Sequence, residues 1–226
     1  MQVPVIFTYG PAPNVEMRLI IPYLQNWARE ARLPSSRGVG NADFGSLGDA
    51  NLYVKYQLQE ETASRPTCTA LAGFGFPTGH HLHLNPLKRG TDQLGSGAYN
   101  FTGGLNLSKW YSPVYFYANL WYTVPTTATV GGVPIHGRDQ VTIDLCAQWI
   151  LTQQWSLLFE TYSNWPAGNL LGPKSQQPAQ ALLGLVAGLE YNVNAQWSFA
   201  GGLAVDVAGK NTGYNYSPIL TCQYTF

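Results

Sequence analysis

A membrane-crossing, antiparallel up-and-down β-barrel is the fold class the sequence predicts, and three observations predict it. Segment after segment carries apolar side chains at every second position, the period of a strand with one apolar face. The connections between those segments are alternately short and long along the chain. Only 11% of the 226 residues are charged while 45% are hydrophobic, so something other than water covers part of the surface. A soluble, lectin-like sandwich accounts for the alternation within strands but not for the alternation of connections, which a transmembrane barrel requires.

The closing segment shows the period plainly. Leu220, Cys222, Tyr224 and the terminal Phe226 are apolar, and Thr221, Gln223 and Thr225 between them are polar. From the other end, Val3, Val5, Phe7 and Tyr9 alternate up to the turn Gly10–Asn14, and Val15, Met17, Leu19, Ile21 and Tyr23 return. The segment Gln25–Gly45 reads as a long loop, with Leu24–Ala31 able to form a short helix. Leu52, Val54, Tyr56 and Leu58 make the next strand, the polar turn Glu60–Arg65 follows, and Thr67–Phe76 completes that hairpin.

The same unit then recurs. After the long loop Pro77–Gln93 come the strand through Tyr99, Phe101, Leu105 and Leu107, the turn Lys109–Tyr111, and the strand Val114–Tyr122. The loop Pro125–Arg138 leads to Val141–Trp149, the turn Thr152–Gln154 and the strand Trp155–Phe159. The loop Pro166–Pro178 leads to Ala181–Tyr191, the turn Asn192–Asn194, the strand Trp197–Val207, the loop Gly209–Asn215 and the closing strand. Eleven strands are legible in a single domain spanning 1–226. Bacterial single-chain barrels have even strand numbers, so a twelfth is expected, either upstream of Met1 or from within Gln25–Gly45.

Composition excludes several functions. The 12 basic and 12 acidic residues cancel, which argues against a nucleic-acid surface or a polybasic membrane patch. The longest apolar run, Ala181–Leu189, is far short of the roughly 20 residues a membrane-spanning helix needs. Met1 is not followed by a basic-then-apolar signal, so an exported protein would carry this chain as a mature form or a fragment. Cys68, Cys146 and Cys222 lack metal-ligand or C-x-x-C spacing and read as free thiols. His80, His81 and His83 share one loop and His136 the next, without a cysteine or carboxylate to complete a metal site, and there is no Gly-x-Ser-x-Gly elbow. No enzyme activity, cofactor or metal is expected.

Tryptophans recur just after short turns, at Lys109-Trp110, Gln154-Trp155 and Gln196-Trp197, where amphipathic rings would sit at headgroup level on one side of a bilayer. The phase of the strands assigns the faces. Leu52, Val54, Val114, Phe116, Leu120, Ile143, Leu145, Leu183, Leu185, Leu203 and Val205 are expected to touch lipid. The opposite phase turns Glu16, Arg18, Asp49, Lys55, Asp144, Glu160, Glu190 and Asp206 toward a lumen or constriction, with the aromatics Tyr53, Tyr115, Tyr117 and Trp121. Arg18 and Lys55 would lie on adjacent strands nearly half the circumference away from the adjacent pair Asp144 and Glu160. Either the cations reach across and plug the bore, or water separates a basic wall from an acidic one.

Leu47-Gly48-Asp49-Ala50-Asn51-Leu52, Gly75-Phe76-Pro77-Thr78-Gly79 and Leu94-Gly95-Ser96-Gly97, with Thr8-Tyr9-Gly10 and Ile21-Pro22-Tyr23 before them, resemble the outer-membrane family of meta-pathway phenol-degradation proteins, often labelled transporters. The resemblance runs from about Val3 to Phe226. It implies a barrel in the outer membrane of a Gram-negative envelope and passage of small molecules, aromatic or hydrophobic ones among them, and it transfers no catalytic residues. The expected function is thus a porin-like channel or transporter, with a structural or interaction barrel of plugged lumen as the alternative. Expected partners are outer-membrane lipids, a small-molecule solute, and either a second copy of the chain or another envelope protein.

Overall fold

The computed structural model describes residues 1–28, 41–168, 175 and 178–225. It is built of antiparallel strands: β1 (Gln2–Ala12), β2 (Val15–Ala28), β3 (Ala42–Leu47), β4 (Ala50–Gln59), β5 (Thr67–Phe76), β6 (Asn100–Tyr111), β7 (Val114–Pro125), β8 (Thr127–Val130), β9 (Val133–His136), β10 (Asp139–Ile150), β11 (Trp155–Gly168), β12 (Ala181–Asn192), β13 (Trp197–Lys210) and β14 (Tyr216–Tyr224). One sheet of 12 strands holds all of these except β8 and β9, which form a separate hairpin.

Each strand pairs with its neighbour in chain order, from β1 through β2, β4, β5, β6, β7, β10, β11, β12 and β13 to β14. This is the up-and-down order expected from the alternating pattern, in which each hairpin pairs one edge of both its strands and the next hairpin pairs the other. The twelfth strand comes from the segment expected to supply it, but it does not add a position across the sheet. The first part of β2 pairs with β4, at Val15↔Tyr56 through Ile20↔Asn51, and its continuation pairs with β3, at Tyr23↔Leu47 through Ala28↔Ala42. β3 and β4 are therefore two halves of one line, interrupted at Gly48 and Asp49, where the Gly48 amide donates to the Pro22 carbonyl at 2.8 Å.

Two local expectations change. Leu24–Ala28 is strand, not helix: its backbone bonds go to β3, and a ladder partner outweighs the helical spacing of Leu24, Trp27 and Ala28. Residues 29–31 of that expectation lie outside the described residues. The 125–138 connection, read as a loop, contains the β8–β9 hairpin, which turns on Gly131 and Gly132 at φ +57° and +82°, conformations open to glycine.

Direction is fixed as well. β1 starts at the end where the long connections lie, since Gln2 pairs with Leu24 and Met1 with Gln25, and β14 starts at that end too. The two run parallel to each other, and among the described residues no ladder joins them.

The faces follow the predicted phase. Rows of directly paired residues such as Leu105, Leu120 and Ile143, or Phe116, Ala147, Phe159, Ala187 and Leu203, carry the apolar set. The other face is the concave one, because three of its links jump over intervening strands: Tyr162 Oη to Asp206, Gln148 Nε2 to Glu190, and the Tyr53 and Trp121 rings at 6.0 Å. Leu145 and Ile143 point away from that face, and Thr142 and Asp144 toward it. At the short-turn end Trp155 packs on Tyr191 at 4.5 Å and Trp197 on Tyr224 at 4.8 Å, the amphipathic rings expected at a headgroup layer. Trp110, expected beside them, is instead the ladder partner of Tyr115 and takes the concave face. The fate of Phe226 lies outside the described residues.

Leu145 is 53% exposed on the apolar face. Replacing it by Arg is expected to destabilise the protein refolded in lipid vesicles by about 2–4 kcal/mol near the bilayer midplane, read from urea titration. A cost near zero would mean that this face does not meet hydrocarbon.

Candidate functional site: a charged lumen wall beneath a loop clasp

The concave wall carries two groups of charges. On β2 and β4 the Glu16 carboxylate accepts from Lys55 Nζ at 2.9 Å and pairs with Arg18 Nη2 at 3.1 Å. Glu16 and Lys55 are directly paired in the ladder, and Arg18 is one pleat along the same face, so the period of 2 assembles the triad. Among the described residues Arg18 Nε has no hydrogen-bond partner. Both cations are thus engaged with a carboxylate on their own side.

Across β5, β6 and β7, on β10 and β11, stand Asp144 and Glu160. Cys146 pairs with Glu160, which places Asp144 on the diagonal from Glu160 on the same face. Asp144 Oδ1 accepts the Ser163 amide at 3.1 Å. Neither carboxylate has a cation within ion-pair distance among the described residues. Further round, Glu190 accepts from Gln148 Nε2 at 2.7 Å. Asp206 accepts from Tyr162 Oη at 2.5 Å and from the Asn215 amide and side chain at 2.9 Å each. The predicted lumen charges therefore share the concave wall, with one exception.

That exception is Asp49. It lies at the break between β3 and β4 and serves as a clasp: Oδ1 accepts the Gly79 amide at 2.9 Å and Oδ2 the Ser96 amide at 2.7 Å. Beside it Thr78 Oγ1 donates to the Gly48 carbonyl and accepts from the Ala50 amide, both at 2.9 Å. Gly79 and Gly95 cross so closely that a Cβ on Gly79 would sit 2.7 Å from the Gly95 Cα. Three stretches far apart in sequence, 47–52, 77–79 and 94–97, meet at this point. Asp49 was in phase for the lumen, but the ladder stops at Gly48 and frees its carboxylate to bind loop amides.

The clasp anchors the 77–99 connection over the long-loop end. Asn26 Nδ2 donates to the Thr91 carbonyl at 3.3 Å, Lys88 Nζ to the Asp43 carbonyl at 2.9 Å, and the Gly131 amide of the β8–β9 hairpin to the His81 carbonyl at 2.9 Å. His80 Nδ1 donates to the Asp92 carbonyl at 2.7 Å, and Phe44 packs on the His80 ring at 5.2 Å. His81 Nδ1 is held by the Gly79 carbonyl and His136 Nδ1 by Thr127, so these three histidines serve loop structure. Among the described residues no three His, Cys, Asp or Glu side chains gather as a metal site, and the three cysteines are free thiols.

The aromatics share the wall. Tyr53 and Trp121 face each other across β5 and β6, and Tyr115 packs on Tyr117 at 4.5 Å. Tyr162 joins them; it was not singled out from the sequence, although it follows Glu160 by one strand period and that phase would have found it.

Among solved structures, an outer membrane channel from Pseudomonas putida F1 matches with a TM-score of 0.71 at 14% identity, over 99% of this chain and 81% of that one. The fold is that of an outer-membrane β-barrel. The phenol-degradation association is not part of that likeness. No family model matches the sequence, and no curated protein does.

Removing the clasp carboxylate by Asp49→Ala strands two amides that it accepts. Each hydrogen bond to a charged group is worth roughly 1.5–3 kcal/mol, so limited proteolysis within 79–96 is expected to accelerate while the strands stay protected. Unchanged cleavage would show that the other loop contacts suffice.

Proposed function

We propose that this chain is an outer-membrane channel that passes small solutes through its lumen and favours cations. One observation carries the reading: Arg18 and Lys55 are both held by Glu16 on their own side, while Asp144 and Glu160 stand on a facing part of the wall without a cation among the described residues. A plug would spend the two cations on those carboxylates. Instead the described wall leaves a net negative field, and clefts lined by one sign of charge concentrate counter-ions. The fold shared with an outer membrane channel supports the same reading.

Aromatic faces along the same wall, Tyr53, Trp121, Tyr115 and Tyr117, suit small organic solutes with a planar or apolar part. Lipid surrounds the apolar face, and the Gram-negative outer membrane is the compartment that accommodates such a barrel.

The test is conduction by the purified protein in a planar bilayer under a salt gradient. The parent should prefer cations. Asp144→Asn with Glu160→Gln should weaken that preference, and Arg18→Gln with Lys55→Gln should strengthen it, because Glu16 is then uncompensated. Near-zero conductance in the parent and both variants, with strong destabilisation in each, would favour a plugged structural barrel instead.

A further inference from the structure

Two tyrosines on the concave wall lie across glycines of neighbouring strands. Tyr53 on β4 folds over Gly73, its direct ladder partner on β5: a Cβ built there would stand 2.6 Å from Tyr53 Cε1 and 3.1 Å from Thr102 Cβ. Tyr162 on β11 folds over Gly184, its ladder partner on β12, where a Cβ would overlap the ring and approach Cε1 to 2.5 Å. The Tyr162 hydroxyl passes beyond Gly184 to donate to Asp206, the ladder partner of Gly184 on β13. At neither glycine does the backbone need the left-handed region. What these positions need is an absent side chain.

We propose that Gly73 and Gly184 are specificity-determining residues of the lumen, recesses that hold Tyr53 and Tyr162 flat against the wall and thereby set the cross-section open to a solute. The inference rests on the channel reading and adds to it which residues fix the bore. A ring lying flat narrows the lumen by its thickness, and a ring standing up narrows it by its full length. Since the sheet lies behind the ring, a side chain at Gly184 leaves Tyr162 only the direction of the bore. Asp206 is the latch on that ring, fixed in turn by Asn215. Gly104 accommodates Trp121 in a similar way, but a Cβ there would also meet the Leu120 carbonyl at 2.6 Å, so its replacement would disturb the sheet and is unsuited to a test.

The experiment uses the full chain in lipid, with two readouts. Gly184→Val should lose conductance relative to the parent, and Tyr162→Ala in the same chain should restore it to the parent value or above; Gly73→Val and Tyr53→Ala should behave as a second such pair. Rescue by a second truncation separates a displaced ring from a misfolded barrel. Independently of current, hydroxyl-radical footprinting of the peptide that holds Tyr162 should show greater labelling in Gly184→Val than in the parent. Unchanged labelling of Tyr162, or a conductance loss that Tyr162→Ala does not reverse, would overturn the recess. A parent that carries no current would overturn the channel reading and the bore-setting role with it, and the footprint would still report where the ring lies.

Discussion

Backbone pairing in hydrocarbon is the constraint on which the rest of this structure depends. An amide or carbonyl left unpaired away from water costs several kcal/mol, so a chain that crosses a bilayer with strands must give each strand two neighbours. Consecutive hairpins meet that demand locally for the strands between β1 and β14, and the order follows the chain. The same constraint dictates the faces. Once the outer wall must be apolar, the charged residues of the strands have the concave wall as their place, and Glu16, Lys55, Asp144, Glu160, Glu190 and Asp206 collect there.

Magnitudes favour the hydrated wall that the proposed channel needs. Side chains on a cross-strand diagonal are roughly 7–8 Å apart. Two like charges at that separation repel by about 2 kcal/mol at an effective dielectric near 20, and by about half a kcal/mol in water. Asp144 and Glu160 occupy such a diagonal, and the nearest help is the Ser163 amide on Asp144. A dry interior would have to bear that repulsion on top of the desolvation of both groups, whereas a hydrated one reduces it to the thermal scale. The basic side supports the same conclusion, because Arg18 and Lys55 share one carboxylate at 3.1 and 2.9 Å and do not extend toward the acidic pair.

Much of this was legible in the residues. The period of 2 located eleven of the strand positions and assigned their faces, since a one-residue slip would turn every polar side chain to lipid. Tyr162 apart, the features missed are those where that period fails. β3 is short and contains Gly45 and Ser46, and Gln25, Asn26 and Trp27 opposite it break the apolar alternation. Their strand conformation comes from a partner about twenty residues away, which no local pattern shows. Asp49 shows the converse failure. Its phase was right for the lumen, but phase holds only as far as the ladder does, and the ladder breaks at Gly48.

The positions that carry the family resemblance have a physical meaning of their own. Leu47–Leu52, Pro77–Gly79 and Leu94–Gly97 converge on the Asp49 carboxylate, the Thr78 hydroxyl and the crossing of Gly79 with Gly95. Each residue type is demanded there: a carboxylate to accept two amides, a hydroxyl to both donate and accept, and two residues without Cβ atoms. These demands concern how a long connection is tied to the rim of a barrel, and a barrel passing any solute could make them. The side chains that a solute would meet, Tyr53, Trp121, Asp144, Glu160 and Tyr162, lie outside those motifs. A likeness built on the clasp therefore informs architecture, and the choice of solute has to be argued from the charge and ring geometry of the wall.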